Sequence, residues 1–400
     1  SPSPSPSPPA PLLQLSILGD VTYGACCVDD LGAQALGCDL LVHYGHSCLV
    51  PIQHTAIPCL YVFVEITIDV PHAVQCLHLT IRQQQQQQRE QQNEEDEEKN
   101  SLPQIYLMGT IQFRPALMEA RRLLKSDEYG YTDVTIPQAK PLSPGEVLGC
   151  TSPVLTDKNE SGGECCDNGK CTSSSSGENT SCCNNDGCQD DSHNTPISKN
   201  KNNAVVLFIA DGRFHLESTM ISNPHIPHFY RYDPYGKNLT EEKYDQIEMK
   251  KIRYQAIETA RSATTFGVIL GTLGRQGNPA ILRKVQQQIH QAGKRCFVML
   301  CSEITPAKLA LFTQKTARGT KIDAWVQIAC PRLSVDWGHF LSQDGAIPVL
   351  SPYELFVCLE ATPWRGKYPM DFYSQQGGPW SNYHPDTKQR SITTIPSTDA

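Results

Sequence analysis

Three cysteines occupy three separate strand-to-loop settings: Cys26 in DVTYGACCVDD, Cys150 in SPGEVLGCTSP and Cys330 in WVQIACPRLSVDWG. None has a second cysteine at the CxxC spacing that builds a zinc knuckle or a ferredoxin-type cluster loop. Thiolates so far apart in sequence share a metal only through tertiary structure, one ligand arriving from each of three segments. Such a tripod could hold an iron–sulfur cluster and leave one iron open to a substrate. Taken singly, each is equally a small buried hydrophobe. Position favours the tripod, because each cysteine lies just past a strand or tight turn, beside glycine, proline or small residues. Cys27 adjoins Cys26, and the sequence leaves open which of the two points inward.

Other loops carry further candidates. LLVHYGHSC sets His43 and His46 around Gly45, as metal ligands, substrate-orienting groups or proton carriers, or as a strand cap and a solvated ring. Asp211, Gly212, Arg213, Phe214 and His215 follow the strand-like AVVLFIA. A charged loop there suits the carboxylate and ammonium of an amino acid, although Asp–Gly turns after strands are common. GTLGRQG (Gly271, Gly274, Arg275 and Gln276 among its residues) joins a strand to a helix, where backbone N–H groups can meet an anion. It is neither GxGxxG nor a Walker loop, so it points to a carboxylate or ribose. Gln327, Glu303 and Arg332 lie on neighbouring strand ends. The repeated CCx4C of Cys165–Cys166–Cys171 and Cys182–Cys183–Cys188 sits in Ser/Asn/Gly-rich sequence and fits no common zinc finger.

The elements that must position these residues alternate between apolar β-rich runs and helix-period segments, the pattern of parallel sheets covered by helices. Strands are expected at 12–18, 40–44, 61–66, 105–113, 133–137, 204–210, 229–232, 266–270, 295–300, 324–329 and 347–350. Helices are expected at 114–125, 240–262, 278–292, 305–314 and 352–360, the third beginning after the cap Asn278 with Pro279 at its first position. In open parallel sheets ligands bind beyond the carboxyl ends of the strands, and that is where the polar loops fall.

Composition narrows the class. Residues 82–100 hold six acids against three basic residues, and 156–203 hold eight against four, which is seven of the eight net negative charges. Both stretches are too polar to order themselves, and the remainder is near neutral, with no basic stripe for nucleic acid. No apolar run reaches membrane-spanning length. SPSPSPSPPAP lacks the parts of a signal peptide, so the seventeen cysteines read as reduced, cytoplasmic thiols.

Read together, GDVTYGACCVDD, LLVHYGHSCLVPI, KPLSPGEVLGCTSP, DGRFHLES, RYDPY, ILGTLGRQG, SEITPAKLALF, ACPRLSVDWG and YPMDFY closely resemble the diphthamide synthase family, in its subunit 1 branch. The likeness runs from about Gly19 to Trp380 outside the two biased stretches. It implies an α/β fold of three similar Rossmann-like domains, each a parallel sheet flanked by helices, around a central cluster site. The expected division is a tail at 1–11, a first domain at 12–81, a linker at 82–100, a second domain at 101–239 with the insert 156–203, a third at 240–375 and a tail at 376–400. The family has a strand and helix before GDVTYGAC where this sequence has its Ser-Pro repeat, so the first domain is expected to be incomplete.

The resemblance further implies that Cys26, Cys150 and Cys330 hold a [4Fe-4S] cluster whose open iron meets S-adenosylmethionine. The implied activity is transfer of the 3-amino-3-carboxypropyl group, as a radical, to C2 of a histidine in translation elongation factor 2. Implied partners are a second synthase subunit and a small metal-binding electron donor. Asp211, Arg213, Gly271, Gly274, Arg275, Gln276 and Gln327 are the expected cosubstrate contacts, and His43, His46 and His215 the candidate proton carriers. Two other readings are a noncatalytic scaffold subunit of the same heterodimer and an iron-independent S-adenosylmethionine methyltransferase.

Overall fold

The computed structural model describes residues 13–18, 28–45, 50, 52–92, 102–140, 142–155, 203–312, 321–337, 347–370, 377–382 and 384. Cys26, Cys27, His46 and the insert cysteines lie outside them. The first segment contains α1 (Asp30–Ala35), β1 (Leu41–Tyr44), β2 (Cys59–Val62) and α2 (Val70–Gln92). Next come β3 (Gln104–Gly109), α3 (Arg114–Leu124), β4 (Val134–Thr135), β5 (Ala204–Ile209), α4 (Phe214–Ser222), β6 (His228–Asp233) and β7 (Asn238–Glu242). The last segment holds α5 (Gln246–Arg261), β8 (Thr265–Gly271), α6 (Pro279–Gln291), β9 (Arg295–Cys301), α7 (Pro306–Ala310), β10 (Ala324–Ile328), α8 (Arg332–Asp336), β11 (Val349–Leu350) and α9 (Pro352–Cys358).

These strands form three sheets, ordered β1-β2, β4-β3-β5-β6-β7 and β11-β10-β8-β9. Every neighbouring pair is parallel except β6 with β7. The chain is thus mixed α/β, with parallel sheets flanked by helices. The central strands β5 (AVVLFI) and β10 (AWVQI) are buried at every position. Strands covered by helices on both faces carry continuous apolar runs rather than alternation. The helices between strands begin on side-chain caps: Asp245 for α5, Asn278 followed by Pro279 for α6, and a Ser351–Glu354 capping box for α9. Each cap satisfies a backbone N–H that the first turn leaves unpaired.

One apolar cluster crosses from the second segment to the third. Leu142, Leu148 and Ile221 pack with Ile328, Val335, Val268 and Phe356, and Cys150 lies against it. The loop that carries Cys150 and helix α4 therefore share a core with the third sheet.

Several expectations need correction. The strands expected at 61–66 and 105–113 end at Val62 and Gly109, and Ile111–Phe113 is a 3-10 turn. Residues 13–18 form no strand, and Leu13 and Ile17 are 83% and 94% exposed. The stretch 82–100 is not linker from its start, because α2 continues to Gln92. Its anchor is the apolar series Val70, Ala73, Val74, Leu77 and Ile81, which packs on the second sheet's core and carries the glutamines along as further turns. The helix expected over 240–262 is split, since Asn238–Glu242 pairs with β6 and helix begins only at Gln246. Cross-strand pairs, Arg231 Nε to Glu242 Oε1 at 3.1 Å and His228 Nδ1 to Glu241 Oε1 at 3.0 Å, supply what the acidic sequence lacks in β propensity. Among the described residues no helix is long and apolar enough to cross a membrane.

Candidate functional site

Cys150 ends a segment that adds to the edge of β3: Gly109 N–H donates to Gly145 O at 2.9 Å and Val147 N–H to Gly109 O at 3.1 Å. Its other restraint is α4. Serine, threonine and asparagine inside a helix usually compete with the helix's own backbone bonding. Here Ser218 and Thr219 of α4 and its C-cap Asn223, none of them exposed at all, also reach outward to the loop, while Ser218 and Asn223 keep bonds to the helix carbonyls of His215 and Thr219. Ser218 Oγ donates to Leu148 O at 2.5 Å, and Ser152 Oγ donates to Thr219 Oγ1 at 3.1 Å. Asn223 Nδ2 donates to Pro153 O at 2.9 Å while its Oδ1 accepts from Leu155 N–H at 2.7 Å. Residues 148–155, with the half-buried Cys150 among them, are thereby strapped to α4.

Cys330 lies in the turn between β10 and α8. Gln327, wholly buried, accepts from Ala329 N–H at 3.0 Å. It donates through Nε2 to Cys330 O and to Ser334 Oγ, both at 3.1 Å. On the neighbouring strand, a Cβ on Gly271 would come within 2.7 Å of Ala329 Cβ. Only glycine lets the end of β8 approach the turn so closely.

Arg332 joins the two cysteine segments. Its Nη1 donates to Gly149 O at 3.2 Å and Phe214 O at 2.8 Å, and its Nη2 to Glu217 Oε2 at 2.5 Å. Asp336 Oδ1 accepts from Nε at 2.8 Å and lies 2.8 Å from Nη2. All five guanidinium donors have a partner in this arrangement. The group also lies 4.2 Å from the Phe214 ring centroid. Phe214 in turn occupies the space a side chain on Gly149 would need. The residue before Cys150 and the residue two beyond Cys330 are thus hydrogen-bonded to each other. Burial pushes the Arg332 guanidinium down, but Asp336 and Glu217 outweigh it and keep it firmly charged. Burial raises the Asp336 carboxyl, with Arg332 offsetting part of the rise.

A second arginine binds the first segment at Asp30 and His54. Arg275, in the glycine loop after β8, donates through Nε to Asp30 Oδ1 at 2.9 Å, and through Nη2 to Asp30 Oδ2 at 2.5 Å and His54 O at 3.1 Å. Asp30, four residues after Cys26, is fully buried and also accepts from Ala56 N–H. Burial alone would raise its carboxyl, yet Arg275 and the Ala56 N–H hold it below the usual carboxylate range.

The remaining candidates are scattered. His43 meets Tyr61 edge-on with ring centroids 5.4 Å apart, and His215 meets Phe214 in the same way at 5.4 Å. Asp211 is exposed. Arg213 is paired with Glu217 at 2.8 Å and Glu242 at 3.2 Å. In the glycine loop, Gly274 has φ +51°. The Thr272 and Gln276 N–H groups there are already bonded to Cys301 O and Leu273 O. Among the described residues no three or more His, Cys, Asp or Glu side chains gather as a metal-ligand set. Asp30, Glu217, Ser218, Asn223 and Asp336 had no assigned role in the sequence reading; the local signals were the four-residue spacings of Arg213 with Glu217 and of Arg332 with Asp336.

The family profile described as "Putative diphthamide synthesis protein" matches residues 10–369. The chain belongs to that family. A relative named 2-(3-amino-3-carboxypropyl)histidine synthase subunit 1 from Dictyostelium discoideum is 46% identical over 367 residues, covering 92% of this chain and 63% of that protein. Relatives of the same name from Mus musculus and Homo sapiens are each 42% identical. They cover 95% and 93% of this chain, and 70% and 68% of their own lengths. The chain thus spans about two thirds of the length of these relatives. In fold it is similar to the crystal structure of Dph2 from Pyrococcus horikoshii with a 4Fe-4S cluster, at TM-score 0.54 and 22% identity over 88% of this chain and 79% of that one.

Proposed function

We propose that this family member transfers the 3-amino-3-carboxypropyl group of S-adenosylmethionine to C2 of a histidine in translation elongation factor 2, the first step of diphthamide formation. The observation that carries the reading is Arg332, which ties the Cys150 and Cys330 segments together at one end of a shared core. The donors suit a [4Fe-4S] cluster, being soft thiols on loops fixed from behind yet themselves only half-buried. Cys150 and Cys330 would hold it, with Cys26, four residues before the Arg275-bound Asp30 in sequence, as third ligand. Three similar Rossmann-like domains, each giving one cysteine, is the architecture we assign to this arrangement.

When bound, such a cluster supplies one electron and a vacant iron corner to a sulfonium. The protein's share is to orient and to exclude water. Arg332 and Gln327 have all their donors engaged within the fold, and Arg275 its Nε and Nη2, which suits them to supporting the ligand loops. We assign the amino-acid end of the cosubstrate to Asp211, Gln276 and the Gly271–Gly274 turn, with Arg213 alongside. His215, next to the Phe214 ring that Arg332 covers, is our first choice to take the proton that leaves C2 of the target imidazole, ahead of His43 and His46; the adduct must lose one electron with that proton, which balances the one used to cleave the sulfonium. We further assign a second synthase subunit as partner, a small metal-binding protein as electron donor and the cytoplasm as setting.

Anaerobic incubation of the complex with S-adenosylmethionine, a reductant and elongation factor 2 tests the reading. Methylthioadenosine together with an aminocarboxypropyl adduct on one histidine supports it. S-adenosylhomocysteine would identify a methyltransferase, and full product from a complex carrying Cys150→Ala and Cys330→Ala in this chain would identify a scaffold.

A further inference from the structure

A continuous buried polar chain runs through the last sheet and ends on the backbone of Cys330. Tyr368 OH donates to Glu354 Oε1 at 2.8 Å, and Glu354 takes Arg253 Nε and Nη2, each at 2.7 Å. Arg253 Nη1 donates to Ser334 O at 2.7 Å and Nη2 to Val349 O at 2.7 Å. Ser334 Oγ then accepts from Gln327 Nε2, whose other proton goes to Cys330 O. Tyr368 is 3% exposed, Arg253 1%, and Glu354, Ser334 and Gln327 not at all.

A buried ion pair is a poor way to gain stability, since apolar residues of similar volume often do as well or better. What such a chain supplies is direction: its buried donors and acceptors are matched to one another, Gln327 Nε2 to Cys330 O and Ser334 Oγ, so the turn is held in one arrangement. Gln327 has no amide proton left for a ligand. We infer that Gln327 is a positioning residue for Cys330, aimed by Ser334 and the Arg253–Glu354 pair, rather than a contact to the cosubstrate. The inference rests on the reading of Cys330 as a cluster ligand.

The test uses Gln327→Glu, which keeps the shape and the acceptor for Ala329 N–H but turns both donors into a carboxylate facing Cys330 O. In the anaerobic, cluster-free full chain, alkylation of Cys330 followed by peptide mass spectrometry should run about tenfold faster than in wild type. Cys150 should change by less than about twofold, because its restraints come from α4; such site-resolved rates report local opening. After reconstitution, the electron paramagnetic resonance g values of the reduced cluster should shift. Ser334→Ala, a milder change, should raise the Cys330 rate about threefold, and it decides the question if Gln327→Glu does not fold. Wild-type alkylation rates and g values in the folded variants would overturn the inference, even with a lowered melting temperature. Failure of the wild-type chain to take up iron and sulfide, with the Cys330 effect intact, would instead sink the cluster reading and leave the positioning role standing.

Discussion

The Cys150 segment is held from outside, by Ser218, Thr219 and Asn223 of α4. The Cys330 turn is held from within, by Gln327 and the Arg253–Glu354 pair behind it. The first arrangement is a set of separate, mostly neutral bonds, each worth about 1 kcal/mol net. The second is one chain anchored on a buried charge pair, where loss of a member leaves its partner uncompensated. Damage to the Cys150 segment should therefore be graded, and damage to the Cys330 turn closer to all-or-none. Arg332 is where the two meet.

The largest effect should come from Arg253→Met, which strands Glu354 in the core. Urea unfolding should show a loss of about 3–5 kcal/mol, and adding Glu354→Leu should recover most of it. A double variant no better than the single one would mean that the pair is not the anchor. Arg332→Met should cost somewhat less, about 2–4 kcal/mol, because its partners Glu217 and Asp336 can reach water. Unlike any other change here, it should speed alkylation of Cys150 and Cys330 together. Asn223→Ala leaves Leu155 N–H and Pro153 O unpaired, at about 2 kcal/mol. It should loosen Cys150 alone, and an equal effect on Cys330 would erase the distinction between the two loops.

The smallest effect concerns the first segment. Asp30 is held below its ordinary range by Arg275 and the Ala56 N–H despite its burial. Its contribution is therefore present above the unfolded carboxylate pKa of about 3.9 and is lost as pH falls through the lower folded value. Asp30→Asn should flatten the acid limb of the stability profile below about pH 4, and an unchanged limb would show that the pair is not intact in solution.

Much of this frame was legible because fully buried parallel strands announce themselves. AVVLFI, TFGVILG and AWVQI are apolar runs with nothing to mistake them for, and the Asn278–Pro279 start of α6 carries its cap in sequence. The apolar spacing of Val70 to Ile81 was also there to be read, but the glutamine run behind it drew attention to composition instead of period. Residues 240–242 looked helical because the strand character of Asn238–Glu242 comes from β6, a partner that local sequence does not contain. In the candidate site the cysteines stood out by type and setting, whereas the groups that hold them did not. Asn223 meets a loop some 70 residues earlier, and Arg332 meets one 183 residues away. Ser218 and Asn223 read as ordinary helix residues until the fold turns them toward Cys150.

The account depends on Cys150 and Cys330 ligating one cluster. Iron and sulfide analysis of the anaerobically reconstituted complex tests this most directly, comparing wild type with Cys150→Ala and Cys330→Ala. About four irons and four sulfides per cluster-bearing chain are expected in the wild type, with cluster absorbance lost in both variants. Full iron, sulfide and absorbance in either variant would contradict it.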